Sequence, residues 1–253
     1  MIFIKTPEDI EKIREACKIV EKILLNIEKE IKTGITTKKL DTIAEELIVS
    51  LGGSPAFKGY RGFRHATCIS INSEVVHGLP SDVELMDGDI VSFDVGAIYK
   101  GFYGDAARTF PVGKISAHAK KLLAAAKEAL KKAILQARAG NNLGDISYAI
   151  EKVATDAGFS VVKDLFGHGI GRSLHEDPLI PNFGVRGTGV KLKKGMVLAI
   201  EPMLNIGASQ VETLDDGWTV VTADRTLSAH FEDTILITEN EPEILTRGKY
   251  NGK

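Results

Sequence analysis

Two aspartates with a spacing suited to metal binding lie in segment 90–110, which reads IVSFDVGAIYKGFYGDAARTF. Two strand-like runs flank a short turn, so the segment is predicted to form a β-hairpin. With the turn centred between Tyr99 and Lys100, Asp94 faces Asp105, and Cβ atoms at such positions lie about 4.5–5.5 Å apart. Carboxylates that close repel each other unless a cation lies between them. The hairpin therefore indicates a divalent cation site lined by oxygen, although two solvated acids on an exposed sheet face would give the same pattern.

Three further candidate ligands lie in the second half of the chain. His168 is surrounded by glycines in GHGIG, where the missing side chains leave room for a ligand. Glu201 precedes Pro202, which favours extended backbone, and Glu232 falls on the polar face of a predicted strand. Four carboxylates and one imidazole suit hard or borderline divalent metals. Two dications would balance the four negative charges, and a bridging water would complete their coordination shells.

The composition narrows the class of protein. The 253 residues include 43% hydrophobic and 26% charged residues, as in an ordinary globular enzyme, and the net charge of −2 argues against a nucleic-acid binder that works through bulk electrostatics. No apolar run is long enough for a membrane span, and the N-terminus has no signal-like stretch. The two cysteines, Cys17 and Cys68, lack CxxC spacing. We therefore expect a cytoplasmic protein with no membrane partner.

Four predicted helices must position these candidate ligands. Each begins at a capping residue or an apolar stripe and ends at a glycine. The first helix is predicted from Thr6 to Gly34, the second from Thr36 or Thr37 to Gly52-Gly53, and the third from Ser116 to Gly140. The fourth helix follows the third and ends at Gly158. A strand is predicted at Thr67–Ile71, ahead of the hairpin.

The two halves of the chain repeat the same pattern. A shift of 106 carries the glycine and apolar positions of the second helix, from Gly34 to Gly52, onto those between Gly140 and Gly158 without a gap. The same shift carries Asp94 to position 200, next to Glu201. We infer two helix–helix–sheet halves, about 1–112 and 113–248, related by pseudo-two-fold symmetry. They are expected to form one α+β domain, 1–253, with one mainly antiparallel sheet and its helices on one face.

These motifs together resemble a known family. The segments SFDVG, GDAARTF, GHGIGRSLHEDP, AIEPM and FEDT are similar to those of the methionine aminopeptidases of type I, as are CISIN and EVVHGLP. The resemblance extends from the first helix to Thr238. It implies the pita-bread (creatinase/aminopeptidase) fold, whose internal duplication agrees with the repeat. It also implies two divalent ions held by Asp94, Asp105, His168, Glu201 and Glu232.

The resemblance implies a reaction and a role for further residues. The family removes the initiator methionine from nascent proteins and peptides when the second residue is small, by attack of a metal-activated water on the first peptide bond. Glu201 would carry the proton, and the non-ligand histidines His77 and His175 would contact the substrate and stabilise the tetrahedral intermediate. An apolar substrate pocket would be formed by Phe57, Tyr60, Phe63, Cys68, Leu174 and Trp218. Phe57 and Leu174 depart from the family pattern, which leaves their effect on specificity open.

Partners and alternatives follow from the same resemblance. Its substrates are peptides and nascent chains that begin with methionine, and Co, Mn, Fe and Zn all suit the ligand set. No coiled coil demands an oligomer, so we expect a monomer, and docking on the ribosome stays open. X-Pro aminopeptidases and prolidases share the fold and ligands but carry a large N-terminal domain, for which a first helix near residue 7 leaves no room. A non-catalytic binding protein on this fold would not need all five ligands.

Overall fold

Each half of the chain begins with a pair of α-helices. The computed structural model describes residues 2–247, so residues 1 and 248, the outer ends of the two predicted halves, lie outside the described residues. The helices are α1 (Pro7–Glu30), α2 (Thr37–Ser50), α3 (Ala117–Gln136) and α4 (Leu143–Asp156), with a 3₁₀ turn at Tyr60–Gly62. The four predicted helices are thereby confirmed. Within residues 2–247, none of the helices is both long and apolar enough to cross a bilayer.

The helix starts follow from capping side chains. The hydroxyls of Thr6, Thr36 and Ser116 each accept a hydrogen bond from the backbone N–H three residues later. In α1 the side chain of Asp9 accepts in turn from the N–H of Thr6, which completes a capping box, and Pro7 occupies the first helical position. Each cap satisfies backbone donors that a helix leaves without partners in its first turn.

The strands of the described residues form four sheets, and all of their pairings are antiparallel. The first half contains β1 (Ser54–Pro55), β2 (Thr67–Ile71), β3 (Glu74–Val76), β4 (Ile90–Tyr99) and β5 (Phe102–Pro111). The second half contains β6 (Ser160–Val161), β7 (Phe166–Gly169), β8 (Glu176–Pro181), β9 (Val197–Ile200), β10 (Met203–Asn205), β11 (Val211–Thr213), β12 (Val220–Thr222), β13 (Ser228–His230), β14 (Asp233–Leu236) and β15 (Glu243–Ile244).

The prediction of one continuous sheet was wrong. The sheet orders are β1-β4-β2 with β5 on β4, β13-β10-β6, β11-β12-β3 and β15-β14-β9-β7-β8. One reason is visible between β9 and β10, where Pro202 has no N–H to continue the ladder. The strands of the second half are also short, so a break of two residues moves the chain from one sheet to another.

The internal repeat is visible in the element bounds. A shift of 106 carries the bounds of α2, 37 and 50, onto those of α4, 143 and 156, and the bounds of β1 onto those of β6. Each helix pair is also joined to a later loop in the same way, by the isolated bridges Thr36–Glu84 and Asn142–Lys191. The gap-free match of the sequence therefore corresponds to a repeated local structure.

The two halves meet where β5 lies against β14 and against Glu232 just before it. The hydroxyl of Thr234 accepts from Asp105 N at 3.2 Å and donates to Asp105 O at 2.7 Å. The backbone N–H of Glu232 donates to Ala107 O at 2.9 Å. Behind this contact β5 lies directly on α1, since a Cβ added at Gly104 would be 2.7 Å from Cys17 N. These contacts bring the acids of the two halves together.

Candidate metal centre

The hairpin of β4 and β5 carries the first two acids. Asp94 is paired with Ala107, and Asp105 is paired with Gly96, so the two aspartates are not directly opposite as predicted. The predicted register was wrong by two residues because the tight turn is Lys100-Gly101, with φ of +47° and +79°, rather than one centred a residue earlier. A shift of two residues keeps both side chains on the same face.

Alternation along β4 explains why that face is the one carrying acids. Val91, Phe93 and Val95 are fully buried in a core that includes residues of α1 and α2. Asp94 lies between them in sequence and therefore points to the opposite side of the strand. The hydrophobic packing of the helices thus directs this carboxylate toward the second half of the chain.

The second half supplies the remaining candidates from three neighbouring strands. His168 on β7 is paired with Ala199 on β9, and Glu201 follows β9 directly. Glu232 directly precedes β14, which is also paired with β9. Asp105, His168 and Glu232 each offer one ligand atom, and these atoms lie within 4.8 Å of one another. All three residues are buried.

Glu201 lies between two imidazoles. Its Oε1 is 3.6 Å from Nε2 of His168, and its Oε2 is 3.6 Å from Nε2 of His230. Nδ1 of His168 donates to the carbonyl of Gly169 at 2.8 Å, which leaves the Nε2 lone pair toward the carboxylate. A hydrogen bond of this kind on the far nitrogen is usual for a histidine that binds a metal.

Burial controls the electrostatics of this group. Burial, and then the neighbouring carboxylates, raise the pKa of Asp105 and of Glu232 well above their usual values, and burial does the same to the pKa of Glu201. Burial also raises the pKa of Asp94 to about 7. It lowers the pKa of His168 to about 3, helped by the nearby His175, so that this imidazole is neutral.

The donor set fits divalent metal ions. Asp94 Oδ1, Asp105 Oδ1 and Glu232 Oε1 are buried and have no hydrogen-bond partner among the residues that the structure describes. Buried carboxylate oxygens without partners are costly. A dication would satisfy these oxygens and compensate their charges, and the neutral imidazole of His168 supplies a nitrogen ligand.

Two more histidines border the acids. Nδ1 of His175 is 2.7 Å from the hydroxyl of Tyr60, and its ring centroid is 4.3 Å from that of His168. Burial, and then the neighbouring Arg61, lower the pKa of His175 to about 4. Burial also lowers the pKa of His77 to about 4, and its backbone has a φ of +59°, which is uncommon for a residue with a side chain. Both rings are therefore neutral near pH 7.

An apolar pocket adjoins the acids in one cavity of about 380 Å³. Cys68 on β2 is paired with Asp94 on β4, which places the wall of the pocket beside the candidate ligands. The rings of Phe63 and Trp218 meet edge to face, with centroids 5.0 Å apart. All of the predicted site residues line this cavity: Phe57, Tyr60, Phe63, Cys68, His77, Asp94, Asp105, His168, Leu174, His175, Glu201, Trp218 and Glu232.

Some lining residues were not predicted. His230, Met203 and Leu179 line the same cavity, as do Arg61 and the segment 164–166. His230 stands two residues before Glu232, and the alternation of a strand would have placed both on one face. That signal was available in the sequence for the histidine, whereas the other positions depend on how distant loops fold over the cavity.

Comparisons with known proteins agree with this site. A model of metallopeptidase family M24 matches residues 11–239. The methionine aminopeptidase of Clostridium perfringens is 53% identical over 246 residues, which cover 97% of this chain and 99% of that protein. The crystal structure of methionine aminopeptidase from Thermotoga maritima matches with a TM-score of 0.96 and 51% identity, over 98% of this chain and 100% of that one.

A more distant likeness shows the range of the fold. The prolidase from Pyrococcus furiosus matches with a TM-score of 0.80 and 29% identity, over 97% of this chain but 66% of the prolidase. The methionine aminopeptidases above are matched over almost their whole length instead. As a member of this family the protein is a metal-dependent hydrolase. The chain therefore belongs to metallopeptidase family M24, among its methionine aminopeptidases, and has their pita-bread fold.

Proposed function

We propose that the protein removes the N-terminal methionine from peptides and nascent chains when the second residue is small, with the help of two divalent ions. One observation carries the proposal: buried carboxylates with unpartnered oxygens share a single cavity with an aromatic, apolar pocket. The carboxylates suit metal ions, and the pocket suits an unbranched apolar side chain. The identity to methionine aminopeptidases over nearly the whole chain supports the same substrate.

Five residues would hold the metal ions. Asp94, Asp105, His168, Glu201 and Glu232 form a donor set rich in oxygen with one imidazole, which Fe, Mn, Co and Zn all suit. When bound, such ions lower the pKa of a coordinated water and polarise the carbonyl of the peptide bond that is cleaved. Two dications also match the charge of the four carboxylates, which otherwise repel one another in a buried site.

Glu201 is the residue suited to carry a proton. Its carboxylate lines the cavity among the candidate metal ligands, where it can accept a proton from the attacking water and pass it to the departing amine. Its two oxygens lie toward different imidazoles, 3.6 Å from each. One oxygen of Glu201 can therefore take up a proton while the other keeps its contact with the imidazole beside it.

His77 and His175 are suited to stabilise charge on the substrate. Both imidazoles are neutral near pH 7, since burial lowers the pKa of each to about 4, and each can donate one N–H. When the hydroxyl of Tyr60 donates to Nδ1 of His175, the Nε2–H of that ring is available to the substrate. Donors fixed in this way stabilise the oxyanion of a tetrahedral intermediate.

The pocket would select methionine. Phe57, Phe63 and Trp218 provide aromatic faces, and Tyr60, Cys68 and Leu174 complete the wall. Contacts between a thioether sulfur and aromatic rings contribute about 0.3–1.5 kcal/mol each. The free amine of the substrate would lie toward the acids, because this end of the cavity is the polar one.

We also propose how the protein is organised. A single catalytic domain, residues 1–253, is supported by a hydrophobic cluster that includes Ile13 and Phe102 of the first half together with Ile170 and Val197 of the second. The two free, buried cysteines suit a reducing cytoplasm. We expect a monomer that meets its substrates as they leave the ribosome.

Hydrolysis by metal-stripped protein tests this function. The chelated protein is mixed with Met-Ala-Ser, and Fe, Mn, Co or Zn is added back separately. We expect no methionine release without metal and release with at least one of the ions, while an X-Pro peptide is left intact. Turnover of X-Pro peptides alone would favour a prolidase-like activity, and full release without metal would contradict a metal-dependent reaction.

A further inference from the structure

His230 is a buried histidine of the site to which the proposed function gives no role. Its side chain is 2% exposed, and neither Nδ1 nor Nε2 has a hydrogen-bond partner among the residues that the structure describes. It lines the same cavity as the candidate metal ligands. A buried polar side chain without a partner requires an explanation, because most such groups in proteins are hydrogen-bonded.

The backbone of His230 is held firmly. The hydroxyl of Thr109 accepts from His230 N at 3.0 Å and donates to His230 O at 2.8 Å. The hydroxyl of Ser92 lies 2.8 Å from the same oxygen of Thr109 and supplies a donor to it. On the other side, β13 is paired with β10, with His230 opposite Met203. Because hydrogen bonds fix the chain on both sides, the imidazole is directed into the cavity by the fold and not by a chance rotation of a loop.

The surroundings of Glu201 show what this imidazole can do. On one side the lone pair of His168 Nε2 lies toward Glu201 Oε1, and two acceptors at 3.6 Å favour a cation near both. On the other side His230 Nε2 lies 3.6 Å from Oε2, and its Nδ1 has no hydrogen-bond partner within the described residues. An N–H on Nε2 would satisfy both His230 and the second carboxylate oxygen, after a movement of less than about 1 Å.

We propose that His230 is a positioning residue whose Nε2–H donates to Oε2 of Glu201 and so leaves Oε1 for the metal on the His168 side. The proposal rests on the proposed function in one respect, the use of Glu201 as ligand and proton carrier. A carboxylate held from one side loses less freedom when it binds metal, and it keeps a fixed orientation in the cavity.

Two substitutions separate hydrogen bonding from packing. His230→Gln keeps an N–H donor, whereas His230→Leu keeps an apolar side chain without one, and His118→Leu on the surface is the matched control. For His230→Leu we expect Mn²⁺ affinity by calorimetry and kcat for Met-Ala-Ser each to fall about 10–100-fold, as for outer-shell partners of metal ligands. The KM should change less than about threefold, and His230→Gln should restore most of both losses.

A spectroscopic measurement on the unmodified protein makes the test independent of whether the variants fold. In Zn²⁺-loaded protein, long-range ¹H–¹⁵N correlation of the imidazoles should show His230 as the neutral Nε2–H tautomer. An Nδ1–H tautomer, or a His230→Leu variant with normal Mn²⁺ affinity and kcat, would overturn the proposal. If the unmodified protein binds Mn²⁺ but releases no methionine, the proposed function fails instead, and the tautomer and the affinities still decide the role of His230.

Discussion

Asp94 and Asp105 are diagonal neighbours on one face of the hairpin, with Asp94 paired with Ala107 and Asp105 paired with Gly96. Diagonal neighbours of this kind lie roughly 7–8 Å apart, with a somewhat shorter Cβ–Cβ distance, whereas directly opposed residues have Cβ atoms about 5 Å apart. The wider separation allows two carboxylates to approach a cation from different sides. Each aspartate has one buried oxygen without a partner among the described residues, which agrees with such an arrangement.

Replacing Asp105 tests the ligand set. Asp105→Asn keeps the size of the side chain but removes the charge, so we expect the fold to be retained and methionine release to fall more than about 100-fold, beyond the loss typical of outer-shell partners. Peptide hydrolysis and Mn²⁺ calorimetry on the same preparation measure both effects. Asp82→Asn, an exposed aspartate, is the control. Unchanged hydrolysis by the Asp105 variant would refute its assignment as a ligand.

The free energy of unfolding of the metal-free protein should depend on pH through the ionisation of Asp94. Burial raises the pKa of this folded carboxyl to about 7, whereas the unfolded value is 3.8. Its contribution to stability is therefore fully present below about pH 4 and is lost as the pH rises toward 7, at no more than about 1.4 kcal/mol per pH unit. Since Asn cannot ionise, the free energy of unfolding relative to Asp94→Asn should fall over this range and then level off.

Urea unfolding in the presence of a chelator measures this difference, and comparison with the variant cancels the opposite effect of the buried histidines. Saturating Mn²⁺ should remove the decline, because the ion binds the ionised carboxylate. A difference between the two proteins that stays constant or increases from pH 4 to 7 would contradict the burial of Asp94 as an uncompensated acid.

The aromatic wall of the pocket should control affinity for methionine. Trp218 meets Phe63 edge to face, with the ring centroids 5.0 Å apart, and both line the cavity. Trp218→Ala removes this wall, and we expect kcat/KM for Met-Ala-Ser to fall about tenfold or more, as for lost contacts in apolar pockets. Steady-state hydrolysis with varied substrate concentration measures this change. An unaltered kcat/KM would show that Trp218 does not contribute to binding of the methionine side chain.

A buried ion pair should hold the loop that carries His175. Lys5 donates to Glu176, and the side chains are 5% and 8% exposed. The other oxygen of Glu176 accepts from Arg172 N at 2.8 Å and Ser173 N at 3.2 Å. Lys5→Met leaves a buried carboxylate with less compensation, so we expect the free energy of unfolding to fall by about 3 kcal/mol and kcat to fall with it.

The surface pair of Lys18 and Glu15 provides the comparison, since both side chains are about half exposed. Lys18→Met should change the free energy of unfolding by less than about 0.5 kcal/mol. Chemical denaturation of both variants at one metal concentration gives the two values. Equal effects for the two lysines would mean that the Lys5 pair does not stabilise the loop.

Local signals were enough to predict the helices and the faces of the hairpin. The caps at Thr6, Thr36 and Ser116 act within one turn, so the sequence alone could locate them. The register of the hairpin depends on backbone angles at Lys100 and Gly101, which residue types only suggest. The error of two residues preserved the acidic face because side chains alternate with a period of two.

Other features depend on contacts between distant segments. The division into four sheets follows from short strands of the second half that pair with partners far away in the chain, and no local pattern specifies those partners. The chain also leaves the ladder between β13 and β14, at Phe231 and Glu232, a break that no local pattern of the sequence specifies. The roles of the five ligands stay predictions, although their side chains line one cavity.

Anomalous diffraction from crystals loaded with Mn²⁺ would show whether these five side chains bind two metal ions. We expect two strong anomalous peaks among the side chains of Asp94, Asp105, His168, Glu201 and Glu232, each within the usual coordination distance of their oxygen or nitrogen atoms. No peak among these five residues at saturating Mn²⁺, or strong peaks only elsewhere on the molecule, would mean that they do not form the metal site.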